Sequence, residues 1–349
     1  MREIDGSHGE GGGQLLRTAV ALAAITGESI RLRNIRARRA NPGLAPQHLA
    51  AVKAVAALCG AEVEGLGVKS GEILFRPGAL RGGQFDFPVG TAGSITLVLQ
   101  AALPVAIASG EAVTMRISGG SDIRSAPPLD YFRHVLLPLL GKMGLKAEIS
   151  VLRRGYFPRG GGEILVEVQP SLPLIALALD SPGPLAEIRG FAHVANLPSH
   201  IVQRMAASAA AELAGFPLPL IEQTILGKEE AIGAGGAIVL AAATERTVLG
   251  SAATAEKGVP AEQLGMEAGR NLRQELASGA TLDVHAADQA LIYLALASGD
   301  SRFYSRTLSS HAATTMWLLE QFLPVRFAVT QKGTLTRIET RNKAAGRRK

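Results

Sequence analysis

The chain has 349 residues, 47% of them hydrophobic, with 36 Lys and Arg against 30 Asp and Glu, a formal charge of +6 and a single cysteine, Cys59. That length exceeds one ordinary core and implies about two domains, while one cysteine excludes an intrachain disulfide and any cysteine-rich zinc site. The longest nearly apolar run, Ile95 to Ala108, is broken by Gln100 and Pro104 and falls short of the roughly 18 residues a membrane span needs. With Arg2, Glu3 and Asp5 in place of a signal-like apolar stretch, a soluble, cytoplasmic protein is expected. The basic balance suits an anionic partner such as nucleic acid.

The opening, His8-Gly9-Glu10-Gly11-Gly12-Gly13-Gln14-Leu15-Leu16-Arg17, sets backbone N–H groups, a carboxylate and a guanidinium at the start of an apolar helix, where the helix dipole favours anions. It lacks the Gly-Lys-Ser/Thr end of a P-loop and the Gly-x-Gly-x-x-Gly spacing of a dinucleotide site. The predicted helix runs from Gln14 to Gly27. A strand from Ile30 to Ile35 follows, then an arginine-rich loop, a helix from Pro46 to Leu58 and a strand pair closing with Gly71 to Phe75. Alternation of Ile30 and Leu32 with Arg31 and Arg33 predicts a solvated strand face for the latter two. Arg36, Arg38 and Arg39 lie beyond the alternation, where guanidinium forks suit phosphate.

The same order recurs. A helix from Ser94 to Gly110, a strand from Ala112 to Ile117, a loop from Gly119 to Pro128, a helix from Leu129 to Met143 and a strand from Gly162 to Val166 form a second unit. A third has a helix from Asp288 to Gly299, a strand from Arg302 to Ser305, a helix from Ala312 to Phe322 and a strand from Gly333 to Arg337. Helices ending in Gly are common singly, but three copies in one order mark a repeat. Gly27 and Gly110 lie about 83 residues apart and Gly110 and Gly299 about 189, so an insertion of roughly 80 to 106 residues displaces the third unit. Residues 1–183 plus 280–340 are expected to form a large three-repeat unit, 184–279 an inserted small α/β domain and 341–349 a basic tail. Within the insertion, strands are predicted at Ile188 to Val194 and Ile238 to Ala242, and helices at Ser199 to Ala214 and Ala261 to Ala277.

Near the end, Ser309-Ser310-His311-Ala312-Ala313-Thr314 puts an imidazole at a helix start. The positive end of a helix disfavours imidazolium, so the ring should stay neutral and nucleophilic, with Ser309 or Ser310 as the cap. A histidine so placed is also common as a plain surface residue. Glu10 and Arg17, two helical turns apart, could flank an anion and its metal, or be ordinary surface charges. The other histidines show no metal-ligand spacing.

These motifs together resemble the RNA 3′-terminal phosphate cyclase family over nearly the whole chain. The matching residues are Gly9 to Gln14 with Arg17, Ile35 to Arg39 with Pro42-Gly43-Leu44 and Gln47-His48, Gly93-Ser94 with Leu99-Gln100, Arg159 to Glu163, Asp288-Gln289, and His311 with Thr314. The resemblance implies an α/β (α+β) fold of three repeated modules, each a four-stranded sheet with two helices as in the C-terminal domain of a bacterial initiation factor, plus an inserted small α/β domain. It implies ATP and a divalent cation (Mg or Mn), and conversion of an RNA 3′-phosphate end to a 2′,3′-cyclic phosphate through histidine-AMP and RNA-adenylate intermediates. By motif, His311 would be the nucleophile. Gln100, Pro128 and the segment His285, Ala286, Ala287, Asp288, Gln289 would hold adenosine, and Glu10 the metal. Arg17, Arg36, Arg39 and Gln47 would grip ATP phosphates or the RNA end. Where the family commonly has an adenine-stacking tyrosine, this chain has His285. The resemblance also favours a homodimer. Two other classes share parts of the pattern: a non-catalytic ribosome-assembly homologue, expected to lack the nucleophile, and enolpyruvyl transferases, which also use repeated modules with basic phosphate sites.

Overall fold

A computed structural model describes residues 1–90 and 92–342. Module one comprises β1 (Arg2–Asp5), α1 (Gly13–Thr26), β2 (Ile30–Arg33), α2 (Pro46–Cys59), β3 (Glu62–Glu64) and β4 (Ile73–Arg76). Module two comprises β5 (Gly83–Pro88), α3 (Ile95–Ala108), β6 (Val113–Gly119), a long helix α4, β7 (Ala147–Arg153) and β8 (Gly162–Val168). Helix α4 is continuous from Leu129–Tyr131 through a π-helical turn at Phe132–Leu136 to Leu137–Gly141. Pro138 has no N–H to give the carbonyl one turn back, so a widened turn just before it spares the ladder a clash.

The sheets of these modules have equivalent orders, β1-β2-β4-β3 and β5-β6-β8-β7, with the first pair parallel and the others antiparallel. Module three follows the insertion, with α7 (Val284–Leu296), β13 (Ser301–Ser305), α8 (Ser310–Phe322), β14 (Val325–Lys332) and β15 (Leu335–Asn342), and its sheet is ordered β13-β15-β14. Its missing edge is supplied in two pieces. The Arg302 N–H donates to Leu177 O and the Leu179 N–H to Arg302 O before the insertion, and the Thr281 N–H donates to Tyr304 O after it. Arg341 and Asn342 belong to β15, and the rest of the expected basic tail, 343–349, lies outside the described residues.

The inserted chain forms β9 (Leu185–Ala195), α5 (Ser199–Glu212), β10 (Leu220–Leu226), β11 (Gly235–Thr244), β12 (Val248–Thr254) and α6 (Ala261–Ser278), with sheet order β10-β9-β11-β12. Sequence periodicity misses β10 and β12. The first is an edge strand with Leu220 and Ile225 exposed, and the second reads Val-Leu-Gly-Ser-Ala-Ala-Thr, without alternation. The leading strands β1 and β5 are missed too, being short and rich in charge or ending in Pro.

One buried apolar cluster runs through all three modules from Ile4 to Ile338, and a second, built on Ile188, Val194, Ile238, Leu240 and Leu272, lies within the inserted chain. The face of the inserted sheet turned away from its own helices packs on α4 through Tyr131, Val135, Val239, Ala241 and Val248. Among the described residues no helix is long and apolar enough to cross a membrane.

Candidate active site

A cleft of about 410 Å³ gathers polar side chains from helices of all three modules and from the loop before α4. Arg17 from α1, Gln100 from α3, Pro128 at the start of α4, His285, Asp288 and Gln289 from α7, and His311 from α8 all line it. Every module therefore contributes, and Ala252 brings in the inserted sheet.

His311 is the second residue of α8. Ser309 caps that helix, accepting the Ala312 N–H at 2.9 Å while its hydroxyl donates to Asp288 Oδ1 at 2.5 Å. The His311 Nδ1 faces Glu10 Oε2, and Arg39 grips the other oxygen of the same carboxyl. The Glu10 N–H is turned toward Thr314 Oγ1 at 3.5 Å, so the Gly-rich loop lies against the N-terminal part of α8. Burial lowers the His311 pKa below the ordinary imidazole value; nearby Asp288 opposes this, and Arg17, Arg39 and His285 reinforce it. The neutral ring expected from the helix dipole thus has burial as its main cause.

A polar chain crosses the cleft floor. Arg17 donates to Gln100 Oε1 at 3.2 Å, Gln100 donates to Gln289 Oε1 at 3.2 Å, and Gln289 donates to the His285 carbonyl at 3.3 Å. Arg17 is buried, which brings its pKa down to about 10 and leaves it cationic at neutral pH. Behind it His48 is buried, its Nδ1 accepting the Ala45 N–H at 3.0 Å, and burial with Arg17 and Arg36 pushes its pKa down to about 3. A side chain at Gly13 would strike the His48 ring, which explains a glycine at that step of the opening loop.

Other expected residues lie apart from the lining. Ala286 and Ala287 have side chains in the core. Gln47 sits on α2 beside Gly93. Arg36 has a φ of 53° and donates to the Gly43 carbonyl at 2.7 Å, shaping the loop that presents Arg39. Arg31 and Arg33 pair with Glu3 and Glu72 on an exposed strand face, as the alternation predicts. Among the described residues no group of three His, Cys, Asp or Glu could hold a metal on its own. Gln14, part of the opening motif but given no role there, also lines the cleft; Tyr131, Ala252 and the buried Asp283 were not legible as site residues, the first because it lies within an apolar helix pattern and Asp283 because it carries no motif.

A repeat-built α/β enzyme with a histidine in a shared, cation-lined cleft is the class these features define. The family model for RNA 3′-terminal phosphate cyclase matches residues 8–329. An RNA 3′-terminal phosphate cyclase of Nitrosospira multiformis is 66% identical over 98% of this chain and 97% of its own. Those of Methanopyrus kandleri, at 45% with 95% of each chain covered, and Pyrococcus furiosus, at 42% with 93% and 94% covered, are also similar. The chain belongs to the RNA 3′-terminal phosphate cyclase family.

Proposed function

We propose that the protein converts RNA 3′-phosphate ends to 2′,3′-cyclic phosphates at the expense of ATP, with His311 carrying AMP. The observation that supports this most directly is the His311 Nδ1 turned to Glu10, which leaves Nε2 as the nitrogen with a lone pair for phosphorus. Nε2 attacks the α-phosphorus of ATP and pyrophosphate leaves. An oxygen of the RNA 3′-phosphate then attacks the same phosphorus and releases His311. Finally O2′ attacks the activated 3′-phosphate and AMP departs, a step helped by both groups belonging to one ribose. Arg17 and Arg39 offset the charge that shifts among phosphate oxygens. The base would lie among Pro128, His285 and Tyr131.

Glu10 is a single carboxylate beside the cleft, and a site of one carboxylate completed by substrate phosphates fits Mg²⁺ or Mn²⁺. There the cation would neutralise phosphate charge. Glu10 would bind it, and Arg39 would then be free to turn to a phosphate. The presence of His311 sets this reading above a non-catalytic assembly factor. Incubation with α-labelled ATP and a divalent cation should label the wild-type protein through an acid-labile phosphoramidate, and His311→Ala should abolish the label without unfolding. Equal labelling of the variant would refute the assignment.

A further inference from the structure

Asp283 lies outside the expected machinery, yet it joins three separate parts of the chain. It caps α7, one carboxyl oxygen accepting the His285 and Ala286 N–H groups, each at 3.0 Å. The same oxygen accepts the Tyr131 hydroxyl of α4 at 2.6 Å, and the second accepts the Gly250 N–H of β12 at 2.8 Å. The residue is only 1% exposed. Its partners Tyr131, His285 and Gly250 adjoin the cleft. Tyr131, His285 and Ala252 line it, and Gly250 stands two residues from Ala252 on the same strand.

The junction has no slack. A side chain at Gly250 would run into Val135 and approach Tyr131 Cε2 to 2.9 Å. The Tyr131 ring meets His285 edge-on, with centroids 6.3 Å apart and planes at 89°. Burial and the neighbouring Asp283 raise the Tyr131 pKa, so its hydroxyl stays a donor at any working pH.

We infer that Asp283 is a positioning residue that holds the inserted sheet, α4 and α7 in register, making the inserted domain a wall of the nucleotide pocket. The inference rests on the proposed ATP site. Interactions with a buried carboxyl are fixed before ligand arrives, so their loss should appear as weakened nucleotide binding while the chemistry at His311 persists.

Two variants divide the contacts. Asp283→Ser keeps a helix cap and loses Tyr131 and Gly250; Asp283→Asn keeps the cap and the Tyr131 acceptor but turns an N–H₂ toward the Gly250 N–H. For cyclisation of a short 3′-phosphorylated RNA at saturating RNA, KM for ATP should rise about tenfold or more in Asp283→Ser and less in Asp283→Asn, with kcat at saturating ATP within about twofold of wild type. In the ATP-free protein, amide exchange at Gly250 should accelerate in both. Slow exchange at Gly250 in Asp283→Asn, an unchanged KM in Asp283→Ser, or kcat falling in step with melting temperature would each overturn the inference. Should Asp283→Ser fail to fold, Tyr131→Phe decides, a raised KM supporting the inference and an unchanged one overturning it. A wild-type protein that binds no ATP would refute the proposed function instead, since Gly250 exchange reads the junction without nucleotide.

Discussion

Two histidine- and arginine-bearing regions of this molecule look alike in composition and differ in how their charge is balanced. In the cleft, Glu10 and Asp288 are spread among Arg17, Arg39, His285 and His311, and His311 keeps a side-chain exposure of 44%. Between α4 and the inserted sheet, Arg154 makes paired bonds to Asp130 at 2.8 and 2.7 Å and reaches Asp122 at 3.3 Å, with His193 3.6 Å from both carboxyls. Asp122 and Asp130 are almost wholly buried, and Arg154 with His193 holds the Asp122 carboxyl well below its usual range against the cost of burial. The second region fastens the parts of the molecule together. The first spreads its charge over groups from several elements and keeps the His311 ring partly exposed, which is what a reactive site needs.

The widest separation between the regions should come from Arg154→Ala. It leaves Asp122 and Asp130 buried without their cation, a change that costs about 3 to 5 kcal/mol in comparable pairs. Chemical denaturation should show that loss while the folded fraction still labels at His311; loss of labelling with unchanged stability would erase the distinction. Within the cleft, His285→Ala should weaken ATP binding about five- to a hundredfold, since stacking on a base contributes about 1 to 3 kcal/mol, and His285→Tyr should preserve or tighten it. An alanine variant of unchanged affinity in an ATP titration would separate this ring from the base.

Acid sharpens the comparison next. His48 refuses a proton in the folded state until about pH 3, whereas the unfolded chain takes one below about 6.5. Folding stability should therefore fall as pH drops through that window, by at most about 1.4 kcal/mol per pH unit from this group. His48→Gln, which retains an acceptor for the Ala45 N–H, should flatten the slope, and an identical slope in denaturation curves would contradict the assignment. The smallest effect belongs to Arg31 and Arg33. Their exposed pairs should contribute about 0 to 1 kcal/mol to stability, and neutral replacements should leave cyclisation of a short 3′-phosphorylated RNA nearly intact. Replacement of Arg36 and Arg39 should reduce it strongly, and equal kinetics for the two pairs would refute the division.

Much of this was visible in the residues alone. The repeat announces itself because each first helix is apolar and ends near a Gly, as α1 does at Gly27 with φ 70°. His311, Gln100 and the Asp288-Gln289 pair were legible because a motif names them. Tyr131 and Asp283 were not, since a tyrosine in an apolar helix and an aspartate before one look like core and cap. Only the crossing of β12 over α4 gives them a shared partner. Arg36 shows the reverse: the sequence shows a free cation, and the positive φ and the bond to Gly43 reveal part of its use in shaping its own loop.

The broken edge of the third sheet ties both ends of the insertion to one strand. Leu179 and Thr281 donate to Arg302 and Tyr304, alternate carbonyls on one side of β13. Leu179 and Thr281 thus meet one edge of β13 two residues apart, although about a hundred residues of chain separate them. An excised chain joining Asp180 to Thr281 would restore an unbroken strand and a third module like the other two. What it would forfeit is the anchorage of Asp283, two positions beyond the seam, to Gly250, so the completion of the third sheet and the cap of the pocket helix meet within a few residues.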